Sequence, residues 1–164
     1  MGLFSKKEKF SVDGMAMQAM LGAIEGIGKL AAFNDVDERK SMAVSMGYFY
    51  GFLKLHLNSI TKLDTVNTII YKSITNVEEA LKGKSAFDNF GHTVRNMANN
   101  ASANMQYVMK ETKNPFQGMA IFYLKDLYDS TTIDMGKIES AEKNMRLLYK
   151  MTSLLTQNIK ITKE

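Results

Sequence analysis

Histidine is the side chain that most often serves as an acid–base catalyst or metal ligand near neutral pH. This sequence has two, His56 and His92. His56 lies among the three leucines of segment 53–57, where we interpret it as an interior or bundle-edge histidine, and His92 falls on the polar side of another predicted helix. No glutamate stands three residues before either ring. This excludes the Glu-x-x-His motif of di-iron carboxylate bundles.

Other reactive groups are missing or dispersed. The chain has no cysteine, which excludes thiolate nucleophiles, disulfides and cysteine-ligated metals. Asp35, Asp37 and Glu38 resemble a fragment of a calcium loop, but the glycine and the distal glutamate are absent, so we interpret them as helix caps. There is no nucleophile elbow and no phosphate-binding loop. We therefore expect that the protein is not an enzyme and holds no cofactor or metal.

Methionine is unusually frequent, with thirteen residues in 164. Met15, Met17 and Met20 have a spacing that soft Cu(I) could use, but no other residue supports copper. Methionines at helical spacing are more often adaptable core residues, or part of a surface that repacks around a partner. We favour the core and keep the partner surface as the alternative.

Small residues recur four positions apart in the first two predicted helices. They are Gly22 and Gly26 in the first, and Ala43, Gly47 and Gly51 in the second. Glycine inside a soluble helix costs about 1 kcal/mol relative to alanine, so a close helix contact should compensate for it. We predict that these faces pair the two helices with each other, or pair one of them with its copy in another subunit.

The first ten residues carry the pattern of a membrane-surface anchor. Apolar side chains alternate with lysines ahead of the first helix, as in an interfacial segment. We expect a short solvated tail over 1–10, with a membrane contact as the alternative. The residues of that contact would be Leu3, Phe4, Lys6, Lys7, Lys9 and Phe10.

The elements that must position all these residues are helices. Apolar residues recur at spacings of three and four, and the chain has one proline and few turn clusters. We predict an all-α bundle of about six amphipathic helices, the second of them at its centre. Their approximate ranges are 12–33, 37–60, 65–82, 86–112, 115–129 and 134–160.

The first and third predicted helices carry further expectations about orientation and secondary structure. In the first, the spacing predicts that Met17, Leu21 and Ile24 belong to the side facing the core. In the third, residues 65–75 are rich in β-branched side chains and could form a strand, although the helical register favours a helix.

Length, charge and composition predict the number of domains, the kind of partner and the location of the protein. A length of 164 residues fits one domain, over 11–164 after the tail. The net charge of +4 is spread along the chain and only three residues are arginine, so we expect no specific nucleic-acid binding. The N-terminus does not resemble a secretory signal, and we expect a cytoplasmic protein, peripheral to the membrane if the tail binds lipid. The abundance of Lys, Asn, Ile and Met suggests a bacterial or phage origin.

By elimination, we expect a non-catalytic protein that binds another protein or copies of itself. Two alternatives stay open. One is an accessory protein held at a membrane surface by the N-terminal tail, and the other is a carrier of a small apolar ligand between the helices.

Overall fold

The computed structural model describes residues 6–82 and 89–162. Within these ranges the chain forms six α-helices and two short strands, together with a 3-10 helix at Met135–Lys137 that leads into the last α-helix. The elements are β1 (Glu8–Ser11), α1 (Val12–Lys29), α2 (Glu38–Leu57), α3 (Leu63–Ala80), α4 (Phe90–Glu111), α5 (Pro115–Tyr128), α6 (Ile138–Thr156) and β2 (Ile159–Thr162).

The all-α fold class and the number of helices are confirmed. The segment 65–75 lies within α3 and is helical, which resolves the choice between helix and strand. The helix ends differ more. α1 ends at Lys29 instead of 33, and α6 ends at Thr156 instead of 160. The predicted start of the fourth helix, at 86, lies outside the described residues.

Capping side chains set the beginnings of three helices. The Ser11 hydroxyl accepts a hydrogen bond from the Gly14 amide at 3.0 Å, and Asp37 accepts from the first amides of α2. Asn114 caps α5 in the same way, ahead of Pro115, which needs no amide partner at the first helical position. These polar groups satisfy amides that have no partner within their own helix.

The two strands are the main departure from the prediction. β1 and β2 pair in parallel, with Glu8 beside Ile159 and Ser11 beside Thr162. Residues 8–10 are therefore not a free tail, and the last predicted helix gives way to a strand. Asn158 makes the break after α6, because its φ of 59° is a left-handed conformation that asparagine tolerates.

α2 is the centre of the bundle, as the sequence predicts. Every residue from Ala43 to Leu53 is buried, and α2 contacts each of the other five helices. Its buried tyrosines keep their hydroxyls paired: Tyr50 with Ser73 of α3 at 2.6 Å, and Tyr48 with Asp126 of α5 at 2.5 Å. Buried polar groups need such partners, so these bonds fix how α3 and α5 sit on α2.

Within the described ranges, none of the helices combines the length and the apolar character that a membrane crossing requires.

Candidate interaction surface

The inner face of α1 is built from small residues. Ala16, Ala19, Gly22, Ala23 and Gly26 are all buried. A Cβ placed on Gly22 would lie 2.7 Å from Cδ1 of Leu155, and one on Gly26 would lie 3.2 Å from Sδ of Met151. Both neighbours belong to α6. The small face therefore lets α6 approach α1 closely.

The small residues of α2 serve a different contact. A Cβ on Gly47 would lie 2.5 Å from Cβ of Met97, and one on Gly51 would lie 2.9 Å from Cβ of Ala101. Met97 and Ala101 belong to α4. Ala43 is also buried and lies close to Phe90 and Met97 of α4.

The expected pairing of the two small faces with each other is therefore corrected. Leu155 and Met151 of α6 lie beside Gly22 and Gly26, with Phe49 of α2 also close to Gly22, whereas Met97 and Ala101 of α4 lie beside Gly47 and Gly51. The physical reason is that small residues in a sequence show where another helix can approach closely but do not show which helix does so. Both α1 and α2 contact four or more other helices and strands, and any of these could fill the space. These glycines are not available to a second copy.

The outer face of α1 carries large apolar side chains, which we call the α1 stripe: Met17, Leu21 and Ile24. They are 44%, 51% and 49% exposed, although the sequence analysis expected them to face the core. Because the small residues occupy the inner face, the large ones are turned outward on the opposite side of the helix. An exposed row of large apolar residues on one helix marks an interaction surface.

The surroundings of the α1 stripe are partly apolar and partly charged. A groove of about 340 Å³ between α1 and α3 brings Met17 close to Tyr71, which is 58% exposed. Asp13 and Lys72 form an ion pair of 2.6 Å across the same groove. On the other flank lie Gln18 and Glu25, both exposed, and Glu25 pairs with Lys29 at 2.9 Å.

The residues of the predicted membrane contact are divided by the structure. Lys6, Lys7 and Lys9 are exposed ahead of α1. Phe10 is half-buried and packs against the core, so it is not a free anchor. Leu3 and Phe4 lie outside the described residues. The three lysines of the predicted membrane contact are thus exposed to solvent, whereas Phe10 packs against the hydrophobic core.

The histidines and methionines singled out above do not converge on a site. The His56 ring packs edge-on against Tyr149, with 4.8 Å between ring centroids, and burial lowers the pKa of its imidazole. His92 contacts Asn96 on its own helix at 3.2 Å. Met15 is fully buried whereas Met17 is exposed, so they face opposite sides of α1. Among the described residues no three histidine or acidic side chains could together hold a metal ion.

Two carboxyl groups, Asp35 and Asp126, accept hydrogen bonds from side chains of other elements. Lys137 donates to the Asp35 carboxyl at 2.5 Å and the Tyr128 hydroxyl donates to the same carboxyl at 2.6 Å, and these two bonds hold the pKa of Asp35 below its ordinary value. Asp126 behaves differently, because burial raises the pKa of its carboxyl. Both groups have partners that explain them structurally.

A cavity of about 410 Å³ lies between the end of α1 and the beginning of α2. Its size is within the range of small-molecule sites. Its wall includes the hydrogen-bonded pair Ser45 and Tyr123, with 2.7 Å between the hydroxyls. A function as a ligand carrier would depend on this cavity. Its apolar lining comes from Ile27, Leu30, Phe33, Val36 and Met42.

The α1 stripe is the feature that the sequence analysis missed. A signal for it was present, since one side of α1 is made of alanine and glycine at spacings of three and four, and that side can pack more closely than the side with large residues.

Comparison with protein-family models, curated proteins and solved structures gives no match for this chain.

Proposed function

We propose that this is a non-catalytic protein that acts by binding another polypeptide through the α1 stripe. The observation that carries the proposal is the outward orientation of Met17, Leu21 and Ile24 on a helix whose other face is already packed. Fully burying an exposed large apolar side chain contributes about 1.5–3 kcal/mol, and these three are already about half-buried, so covering each would contribute on the order of half as much. A partner that covers the stripe would gain that free energy.

Photo-crosslinking tests this proposal. A photoreactive residue is introduced at Ile24, and as a matched control at Asn100, which is exposed on α4. The protein is irradiated in its natural host cell. We expect a protein adduct from position 24 and not from position 100. Adducts of equal yield at both positions, or none at position 24, would remove the stripe as a binding surface.

A second candidate function is attachment to an anionic membrane surface, as the sequence analysis anticipated. The supporting observation is that Lys6, Lys7 and Lys9 are exposed directly before the helix that carries the stripe. Lysines contribute about 1 kcal/mol each near an anionic surface, and an apolar helix face can enter the interface beside them.

Vesicle flotation separates the two candidates. Membrane attachment predicts that the protein floats with vesicles containing phosphatidylglycerol, and that a variant with Lys6, Lys7 and Lys9 changed to Gln does not. Vesicles of phosphatidylcholine alone serve as the control. Equal recovery of the two proteins with both lipids would eliminate this candidate.

A further inference from the structure

The exposed row on α1 has the spacing of a coiled-coil seam. Met17, Leu21, Ile24 and Gly28 follow one another at intervals of four, three and four residues, which is the repeat of 3.5 that keeps one row facing a partner helix. Gly28 is exposed and has open space above it, since a Cβ placed there would meet nothing within 4 Å. The three large side chains are partly exposed, and the Gly28 end of the row is open to a second helix.

We propose that the occupant of this surface is α1 of a second copy of the chain, packed antiparallel. The inference rests on the proposed function and names its partner. A two-fold axis that crosses the helices between Leu21 and Ile24 produces a self-complementary contact, as closed homodimers require.

The side chains in this register fit in size. Met17 lies opposite Gly28 of the second copy, so the long methionine meets the residue with no side chain. Leu21 lies opposite Ile24 of the second copy, and the axis repeats both layers. Interdigitation of large with small residues fills the seam without voids.

The flanks of the seam are also compatible. On one side Gln18 lies beside Glu25 of the second copy, where an amide can donate to a carboxylate and no like charges meet. On the other side Met20 lies beside Ile27 of the second copy, and both are half-buried apolar residues. A parallel arrangement would instead place the Glu25 carboxylate against the apolar side chain of Met20, which would partly desolvate the ion pair of Glu25 with Lys29 and add no hydrogen bond. The antiparallel arrangement is therefore favoured.

The size of the surface sets the strength of the dimer. One helix face offers less than the roughly 800 Å² per partner of a standard stable interface. We expect dissociation constants in the micromolar range or weaker, so the dimer forms at high local concentration.

Cysteine cross-linking tests the register cleanly because the chain has no cysteine of its own. Two variants are made, Met17→Cys and Gly28→Cys, and are oxidised separately and as an equimolar mixture. In the proposed dimer the two Met17 positions are eleven residues apart along the axis, which is about 16 Å and too far for a disulfide. We expect about tenfold more disulfide-linked dimer from the mixture than from either variant alone, because only the mixture brings the two positions together.

A third variant, Asn100→Cys, gives the background from random collisions. Linkage of Met17→Cys with itself, at the level of the mixture, would overturn the antiparallel register. Linkage at background level in every sample would overturn the second copy as the occupant. In that last case a photo-adduct of Ile24 with a different protein would leave the proposed function standing, whereas the absence of any adduct would remove both.

Discussion

Asn144 shows how a single side chain joins distant parts of the chain. Its carboxamide oxygen accepts from the Ala31 amide at 2.8 Å, and its nitrogen donates to the Ala31 carbonyl at 3.1 Å. The side chain of α6 thus satisfies both polar groups of one residue in the connection after α1, where no helix or strand provides partners. This partly buried pair of bonds holds the end of α1 against α6.

We expect Asn144→Asp to lower the free energy of unfolding by about 1–3 kcal/mol at pH 7, because a carboxylate would face the Ala31 carbonyl without a proton to donate. At pH 4 the loss should be smaller, since a protonated carboxyl can donate again. Urea unfolding at the two pH values measures the difference. Asn100→Asp, on the exposed side of α4, is the control. An equal loss at both pH values would show that the donated bond contributes nothing.

Asp126 makes stability depend on pH in the opposite direction from an ordinary surface carboxyl. Burial raises its pKa, so the folded state binds a proton that the unfolded state releases first. Its contribution is fully present below the unfolded value of about 3.9 and is lost as the pH rises through the folded pKa. Asp126→Asn keeps an acceptor for the Tyr48 hydroxyl and removes the charge.

We therefore expect the stability advantage of Asp126→Asn over the natural chain to be greatest at pH 7 and to vanish below about pH 4. Comparing the two proteins at each pH removes the contribution of Asp35, whose lowered pKa acts in the other direction. Chemical unfolding across pH 3.5–7 provides the measurement. A constant difference between the proteins over that range would contradict a raised pKa at Asp126.

At the scale of elements, two glycines that both lie in helices have opposite surroundings. Gly47 touches Met97 of α4, whereas Gly28 faces open space at the end of α1. We expect Gly47→Ala to cost on the order of 1–3 kcal/mol, because the added Cβ forces α2 and α4 apart. Gly28→Ala should instead stabilise slightly, by less than the roughly 0.5–1 kcal/mol that helix propensity contributes in a helix interior, because Gly28 is the second-to-last residue of α1. Thermal unfolding of both variants measures the contrast, and two changes of the same sign would refute the close α2–α4 contact.

The elements were predictable where a periodic pattern and a cap agree. The beginnings of α1, α2 and α5 follow from Ser11, Asp37 and Asn114, whose side chains bond to free amides of the first turn. The strands were not predictable, because four residues give too little alternation and β1 and β2 stabilise each other across almost the whole chain.

The orientation of α1 was not predictable from hydropathy alone. Both of its faces are apolar, and hydropathy favours burying the one with Leu21 and Ile24. The opposite face is buried because glycine and alanine allow α6 to approach until Cδ1 of Leu155 lies 2.7 Å from where a Cβ on residue 22 would be. Dispersion contacts over such a close approach grow with the number of atoms in contact, a quantity that depends on the neighbouring helix. Hydropathy alone therefore predicts, wrongly, that the α1 stripe faces the core.

For the whole molecule, self-association through the α1 stripe should couple stability to concentration. If only folded chains dimerise, the midpoint temperature of unfolding rises by about 2 °C for each tenfold increase in protein concentration above the dissociation constant. We expect this dependence in the natural chain and not in Leu21→Glu, in which a charge replaces a half-exposed side chain. Scanning calorimetry over a hundredfold range of concentration measures it, with circular dichroism to check that the variant is folded. A midpoint independent of concentration in the natural chain would count against the dimer.

The parallel ribbon of β1 and β2 has a mechanical consequence. Because the strands run in the same direction, the chain enters the ribbon at Glu8 on one end and leaves it at Thr162 on the other. A force that pulls these two ends apart loads the inter-strand hydrogen bonds in shear, so that they must yield together instead of opening one by one. The ribbon thus joins the two ends of the helical bundle. Under tension along the chain, its inter-strand hydrogen bonds would have to break before any helix could unfold.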